Sequence, residues 1–249
     1  MKIEKLNENQ IKFILSHEDL KNWDIKLAEL TQGTERSYEL FHEMMTMLSD
    51  DYLELWDLVE KSGYIRPNNF NTGVPQGSYG FSRELGAGKE SGFKMSDVWG
   101  YMDSQETSEI SPAMYNEFFF PYYRKISESW GRFNYGCCEG VSAIWEDSVS
   151  KYENLSKVSI APWCDEEYIG DKLRGKNIVY HRKPFPNWLA VDKELDEAGF
   201  AAHIERSLKA ARGCFFEISY RDVYSLQGDI YRGKKVVKII RECIDKFWE

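Results

Sequence analysis

Five short segments of this chain end in residues that can do chemistry. "YMDSQE" offers Asp103, Gln105 and Glu106, "YGCCE" offers Cys137, Cys138 and Glu139, and "APWCDEE" offers Trp163, Cys164 and Asp165. "YHRKP" follows with His181, Arg182 and Lys183, and "SYRDVY" with Tyr220, Arg221, Asp222 and Tyr224. Thiolate and imidazole are the donors zinc prefers. Cys137 or Cys138, together with Cys164 and His181, therefore reads as a metal or thiolate site. The plain alternative is that these cysteines only pack. Arg182, Lys183 and Arg221 are suited to clamping a carboxylate or phosphate; their plain alternative is rim salt bridges with Asp165, Glu166 or Asp222. Glu139, Asp222 and Tyr224 are the candidates for acid–base work, and Gln105, Tyr135 and Trp163 for shaping a substrate pocket. Cys214 begins its segment, which places it at the opposite end, and Cys243 falls in an amphipathic stretch. His203 and His42 lie on helical patterns and read as structural, and His17 sits in a polar turn.

Each reactive cluster terminates a short apolar run, and helical patterns separate the runs. "GRFNYGCCE" precedes the predicted helix "GVSAIWEDSVSKYE", and "KVSIAPWCD" precedes "EEYIGDKLRG". "NIVYHRKP" precedes "DEAGFAAHIERSLKAARG", and "CFFEISYRDV" precedes "RGKKVVKIIRECIDKFW". Upstream, "DVWGYMDSQE" predicts a strand and "SPAMYNEFFFPYYRKISESW" a helix capped by Ser111 with Pro112 in its first turn. Strands alternating with helices imply a parallel sheet, barrel or doubly wound. In such sheets the working residues gather at the C-terminal strand ends. Neighbouring strands would bring all five clusters to one mouth. Adjacent residues of a strand point opposite ways, so one of Cys137 and Cys138 is expected to face that mouth and the other to pack sideways.

The first 50 residues follow another plan. "MKIEKLNE" and "QIKFILS" alternate as two short strands around the turn "NEN". "HEDLKNWDI" and "TERSYELFHEMMTML" predict helices, the second capped by Thr34 or Ser37, with Leu40, Phe41, Met44, Met45 and Leu48 on one stripe. "YLELWDLVEKSG" predicts a further helix ending at Gly63, and the long Gly-, Asn- and Pro-rich loop "RPNNFNTGVPQGSYGFSRELGAGKESG" follows. A loop of that length is expected to be functional or disordered. The boundary between two domains, 1–50 and 51–249, is placed where the pattern changes at Asp51.

Composition narrows the function. The formal charge of −9 argues against nucleic acid. Apolar residues at 42% and aromatics at 15% supply a sizeable core. Five unevenly spaced cysteines do not make a disulfide scaffold, and the charged N-terminus has no signal-peptide core. No apolar run is long enough for a bilayer. The expectation is a cytoplasmic protein with a small-molecule substrate.

The blocks "DVWGYMDSQETSEISPAMYNEFFFPYYRKI", "YGCCEG", "VSIAPWCDEE", "VYHRKPFPN" and "RGCFFEISYRDVYSL" resemble the uroporphyrinogen decarboxylase superfamily. They are closest to its branch of anaerobic bacteria related to corrinoid-dependent methyltransferases. That resemblance implies a TIM barrel, here a partial one of about five βα units preceded by a short α+β segment. It also implies methyl transfer between a corrinoid, carried on a partner protein, or a methylated small molecule and an acceptor, with zinc held by an H-x-C motif and a later cysteine. In this chain Tyr135 or Gly136 stands where that histidine belongs and "SYRDV" where the later cysteine belongs, which leaves Cys164 and His181 as substitutes. An "RQAGRY"-like segment is missing, which argues against porphyrin decarboxylation. A complete barrel takes ~250 residues, so a partial one is expected to need an oligomeric partner over its open edge. "MKIEKLNENQIKFILSHEDL" with "ERSYELFHEMM" is similar to the N-terminal part of MecA-type adaptors, which deliver substrates to a Clp-family protease. Two further functions follow as alternatives: a non-catalytic adaptor with an inert barrel remnant, and a metal-free lyase for a carboxylated substrate.

Overall fold

A computed structural model of the chain describes residues 2–7, 10–63, 65, 85, 86 and 88–248. The turn at residues 8–9 and most of the long Gly-rich loop (66–84 and 87) lie outside the described residues. The chain falls into two compact units, Met1–Glu54 and Leu55–Glu249.

In the first unit β1 (Lys2–Asn7) pairs antiparallel with β2 (Gln10–Ile14), with Ile3 opposite Phe13. α1 (His17–Asn22) begins at a reciprocal cap. The Asp19 N–H donates to Ser16 Oγ at 3.1 Å and the Ser16 N–H to Asp19 Oδ2 at 2.8 Å. The single turn α2 (Glu29–Gln32) precedes α3 (Glu35–Ser62). Thr34 caps α3, its Oγ1 accepting from the Ser37 N–H at 3.3 Å. Leu40 of the predicted apolar stripe is buried, and its companions Phe41, Met44, Met45 and Leu48 are half-buried. Two helices were expected where α3 is continuous. No glycine or proline lies between Thr34 and Gly63, so nothing in the backbone stops the helix at the Asp51 boundary.

The second unit is built on five parallel strands: β3 (Trp99–Met102), β4 (Arg132–Tyr135), β5 (Leu155–Ile160), β6 (Val179–Arg182) and β7 (Phe215–Ile218). Their spatial order is their chain order. Each crossover therefore moves one strand along in the same direction. With right-handed crossovers that sets every connecting helix on one face of the sheet. The sheet is open, with β3 and β7 as its edges among the described residues. The architecture is thus mixed α/β with a parallel sheet, and a closed barrel is not formed.

The pleat separates two kinds of side chain. Met102, Phe133, Tyr135, Val158, Ile160 and Tyr180 share one face and form a core with Tyr115 and Phe120 of α4 (Pro112–Phe118) and α5 (Phe120–Ser127) and with Ile169 and Leu173 of α6 (Glu166–Leu173). Phe216 and Ile218 continue that face onto α7 (Glu197–Ala210) and α8 (Arg232–Phe247), through Phe200, Ile204, Leu208, Val236 and Ile239. The other face is polar. Register aligns Tyr101, Asn134 and Lys157 in one row and Ser159, His181 and Glu217 in the next.

Two connections differ from expectation. The helix predicted over "SPAMYNEFFFPYYRKISESW" is broken at Phe119, because Pro121 has no N–H to donate and its ring crowds the preceding turn. The helix predicted over "GVSAIWEDSVSKYE" is a run of turns ending in one 3-10 turn, Val149–Lys151. Serine hydroxyls are spent elsewhere there: Ser142 Oγ accepts from the Asp165 N–H at 2.9 Å and Ser148 Oγ bonds Asn116 Oδ1 at 3.3 Å. The Ser111 cap is as expected, accepting from the Met114 N–H at 3.2 Å. No described helix is long and apolar enough to cross a membrane.

His203 of α7 is buried, stacked on Trp188 at 4.7 Å, with Nε2 lacking a hydrogen-bond partner among the described residues. Burial, and then Arg182 and Arg206, lower its pKa to about 4. The unfolded chain binds this proton near pH 6.5 and the native one does not. Stability is therefore full above pH 6.5 and falls as the pH drops toward 4, on the order of 3 kcal/mol for this group. His203→Phe is expected to keep the stack and flatten that acid limb, as read by melting temperature against pH. The limb should not vanish, because the buried His181 is shifted in the same direction.

Candidate active site

Gly136 ends β4 with φ +92°, so the chain leaves the pleat before the cysteines begin. The expectation that Cys137 and Cys138 diverge is overturned for that reason. Their sulfurs lie 3.3 Å apart, and both face Arg221. Arg221 Nη1 donates to Cys138 Sγ and lies 3.4 Å from Cys137 Sγ, while Nη2 pairs with Asp222 Oδ2 at 2.9 Å. All five cysteines are free thiols. Cys137 is buried and Cys138 is half-buried. Gly136→Ala is expected to cost about 1–3 kcal/mol through its backbone conformation, measured by chemical denaturation.

Glu139 holds this loop. Its carboxylate accepts from the backbone N–H groups of Ser104 (2.8 Å), Cys137 (2.9 Å) and Cys138 (3.0 Å). It thereby ties the exits of β3 and β4 together. Burial raises its pKa against the pull of those donors. A carboxyl engaged by three N–H groups positions the thiols rather than serving as the acid or base expected of it.

Beside the thiols, the Tyr101 hydroxyl donates to Asp103 Oδ2 at 2.7 Å, and Gln105 Nε2 donates to the same oxygen at 3.0 Å. The Trp163 indole N–H donates to the Cys138 carbonyl, and its ring meets Phe185 edge-on at 5.2 Å. Gln105, Cys138, Glu139, Gly140 and Trp163 line a cleft of ≈ 550 Å³. Cys138 is thus the cysteine that lines the cleft.

The remaining predicted residues divide by the parity of the pleat. Lys183 is buried beyond the end of β6, and its Nζ has no hydrogen-bond partner among the described residues. Burial lowers its pKa, while Cys137, Glu139 and Asp103 act to raise it. His181 shares that face, with Nε2 2.6 Å from Ser219 Oγ. Burial, then Lys183 and Lys157, keep the ring neutral. Arg182 turns the other way. Its guanidinium pairs with Glu166 at 2.7 Å and donates to the Ile160 and Ala161 carbonyls at 2.9 Å each, so it is a strut behind the sheet and not a substrate clamp. Tyr135 is likewise on the helix side, fully buried, its hydroxyl 2.5 Å from that of Tyr115, and does not shape the cleft. Tyr224 is 91% exposed and does not join the site. Asp222 serves Arg221.

Residues 1–52 match the family model described as negative regulator of genetic competence (MecA). The first unit is therefore MecA-like in sequence, over the hairpin and most of α3. No curated protein and no solved structure matches the chain.

Zinc does not fit the cysteines and His181 as they stand. The Cys164 thiol accepts the Val141 N–H at 3.5 Å, and burial raises its pKa, which favours the neutral thiol over a ligating thiolate. Cys137 and Cys138 face a guanidinium, a group that competes with a cation. Among the described residues, His, Cys, Asp and Glu side chains form no group of three or more arranged to hold a metal. Sequence reading missed Tyr101, Lys157, Ser159, Glu217 and Ser219. A lysine in the middle of the apolar strand "LSKVSI" was the signal that one face is polar.

Proposed function

We propose that the second unit is an enzyme that uses the Cys138 thiolate to take a methyl group from a small donor, a methylated corrinoid or a methylated small molecule. The observation that carries this reading is the Arg221 guanidinium on the sulfur of Cys138, a residue that lines the cleft. A guanidinium stabilises thiolate over thiol, and the thiolate is the nucleophile. The thiol proton leaves to solvent through the cleft. Sulfur then forms a bond to the methyl carbon as the donor bond breaks, and the donor departs with the bonding pair. The methyl group passes onward when a second thiolate attacks the same carbon and Cys138 leaves as thiolate again. Glu139 fixes the loop, and Asp222 holds Arg221 in place. The test is methylcobalamin with a small thiol. Wild type is expected to release cob(I)alamin and form the thioether. Equal turnover by Cys138→Ser would end this reading.

A second reading rests on the MecA-family match over residues 1–52. Here the first unit is the partner-binding part of an adaptor, and the second is its cargo or an inert passenger. Co-purification of the full chain with a Clp-family ATPase, lost on substituting exposed residues of α1 such as Glu18, would favour it.

A further inference from the structure

The polar face of the sheet carries buried groups that nothing in the thiol chemistry uses. Three of them sit together at the ends of β5 and β6. Ser159 and His181 are register partners, and Lys183 lies two residues further along the same face as His181. Each is fully buried. Ser159 Oγ, His181 Nδ1 and Lys183 Nζ all lack hydrogen-bond partners among the described residues. Native proteins leave few buried polar atoms unpaired, and three on adjacent strand positions are not a packing accident. An unpaired buried ammonium is the most costly of the set.

The acidic groups within electrostatic reach of Lys183, Glu139 and Asp103, make no hydrogen bond to its Nζ. Glu139 spends both oxygens on backbone N–H groups, and Asp103 Oδ2 accepts from Tyr101 and Gln105. The other ammonium on this face, Lys157, pairs with Glu217 at 2.6 Å. The face therefore holds one ammonium without a bonded counter-ion, one hydroxyl and one imidazole nitrogen. His181 Nε2 and Ser219 Oγ share a hydrogen bond; in the tautomer in which the Ser219 hydroxyl donates to Nε2, Nδ1 carries the hydrogen and is a donor.

We propose that this face seats a carboxylate, with Lys183 as its counter-ion and Ser159 and His181 as its hydrogen-bond donors. One unpaired charge and three donors match a monoanion with two oxygens. A phosphate dianion would bring a second charge and a third oxygen with nothing to meet them. The seat adjoins the thiols, because Lys183 lies within electrostatic reach of Cys137. Resting on the thiol reading above, the methyl donor or acceptor is then a small carboxylic acid, anchored at Lys183 with its reactive end toward Cys138.

The experiment is calorimetric and melting titration of the full chain with acetate, succinate and inorganic phosphate, against chloride at matched ionic strength. Saturable stabilisation by the carboxylates is expected. Lys183→Met and Lys183→Gln should weaken carboxylate binding by about tenfold or more. Lys183→Met should also melt higher than wild type without ligand, because it removes an unpaired buried charge, so loss of binding cannot be put down to misfolding. No carboxylate effect on wild type, equal binding by both variants, or preference for phosphate would each overturn the proposal. Thiol reactivity without carboxylate binding would sink the seat alone, and carboxylate binding without methyl transfer would sink the thiol reading alone.

Discussion

Cys138→Ser is expected to abolish methyl transfer and to remove the fast phase of alkylation by iodoacetamide at neutral pH. Cys137→Ser should retain that fast phase, because Cys137 is buried and Cys138 is half-buried. Arg221→Met is the decisive companion. A hydrogen bond from a charged donor contributes about 1.5–3 kcal/mol, and Arg221 makes one to the Cys138 sulfur. Removing it should lower the thiolate fraction near pH 7, and with it the alkylation rate, by roughly 10- to 100-fold. The loss should shrink as the pH is raised, since alkali makes the thiolate without help. A variant that alkylates at the wild-type rate near neutral pH would show that the guanidinium does not activate this thiol. Asp222→Asn should have a smaller effect of the same sign, because it loosens Arg221 without removing it.

The placement of these residues was legible because parallel α/β sheets concentrate side chains at one end. Cysteines, arginine, histidine and lysine at successive strand ends were enough to predict a common neighbourhood. Strand parity was the harder part. In "YHRK" the alternation puts His181 and Lys183 on one face and Tyr180 and Arg182 on the other. Charge alone had grouped Arg182 with Lys183. The buried Tyr180 was the clue, since Arg182 must share its face. The same rule places Tyr135 with Phe133 in the core. Cys137 and Cys138 escaped parity because Gly136 ends the strand one residue early, and a glycine's φ cannot be read from its identity. The missing helix after Gly140 was illegible for another reason. Its apolar spacing suits a helix, but Ser142 and Ser148 bond across to other segments, and tertiary contacts overrode the local pattern. The architecture was only half legible. Five parallel strands could be read, but the helix expected after β4 is a run of turns, and closure depends on edges that local sequence does not describe.

Glu166→Ala is expected to cost about 3–5 kcal/mol, because it strands Arg182 as a buried charge without a counter-ion. The guanidinium is 2% exposed, and its anionic partner is the Glu166 carboxylate at 2.7 Å. The Ile160 and Ala161 carbonyls, at 2.9 Å, satisfy N–H groups but carry no net charge. Ser207 Oγ at 3.4 Å adds little. The Glu166 side chain is 22% exposed, so water reaching the vacated space would hold the cost toward the lower end. For a unit of this size each kcal/mol moves the midpoint by about 2–4 °C, so a drop of roughly 10 °C should be read by calorimetry. Glu167→Ala is the control. Glu167 stands beside Glu166 in the first turn of α6, under the same Asp165 cap, but is exposed. Loss of favourable charge at the helix N-terminus is common to both variants, and Glu167→Ala should stay within about 0.5 kcal/mol of wild type. The difference between them isolates the Arg182 pair. Were Arg182 a substrate clamp, Glu166→Ala would free it for ligand and leave the fold intact. A stable Glu166→Ala protein with altered carboxylate affinity would restore that reading and remove Arg182 from the frame behind the sheet.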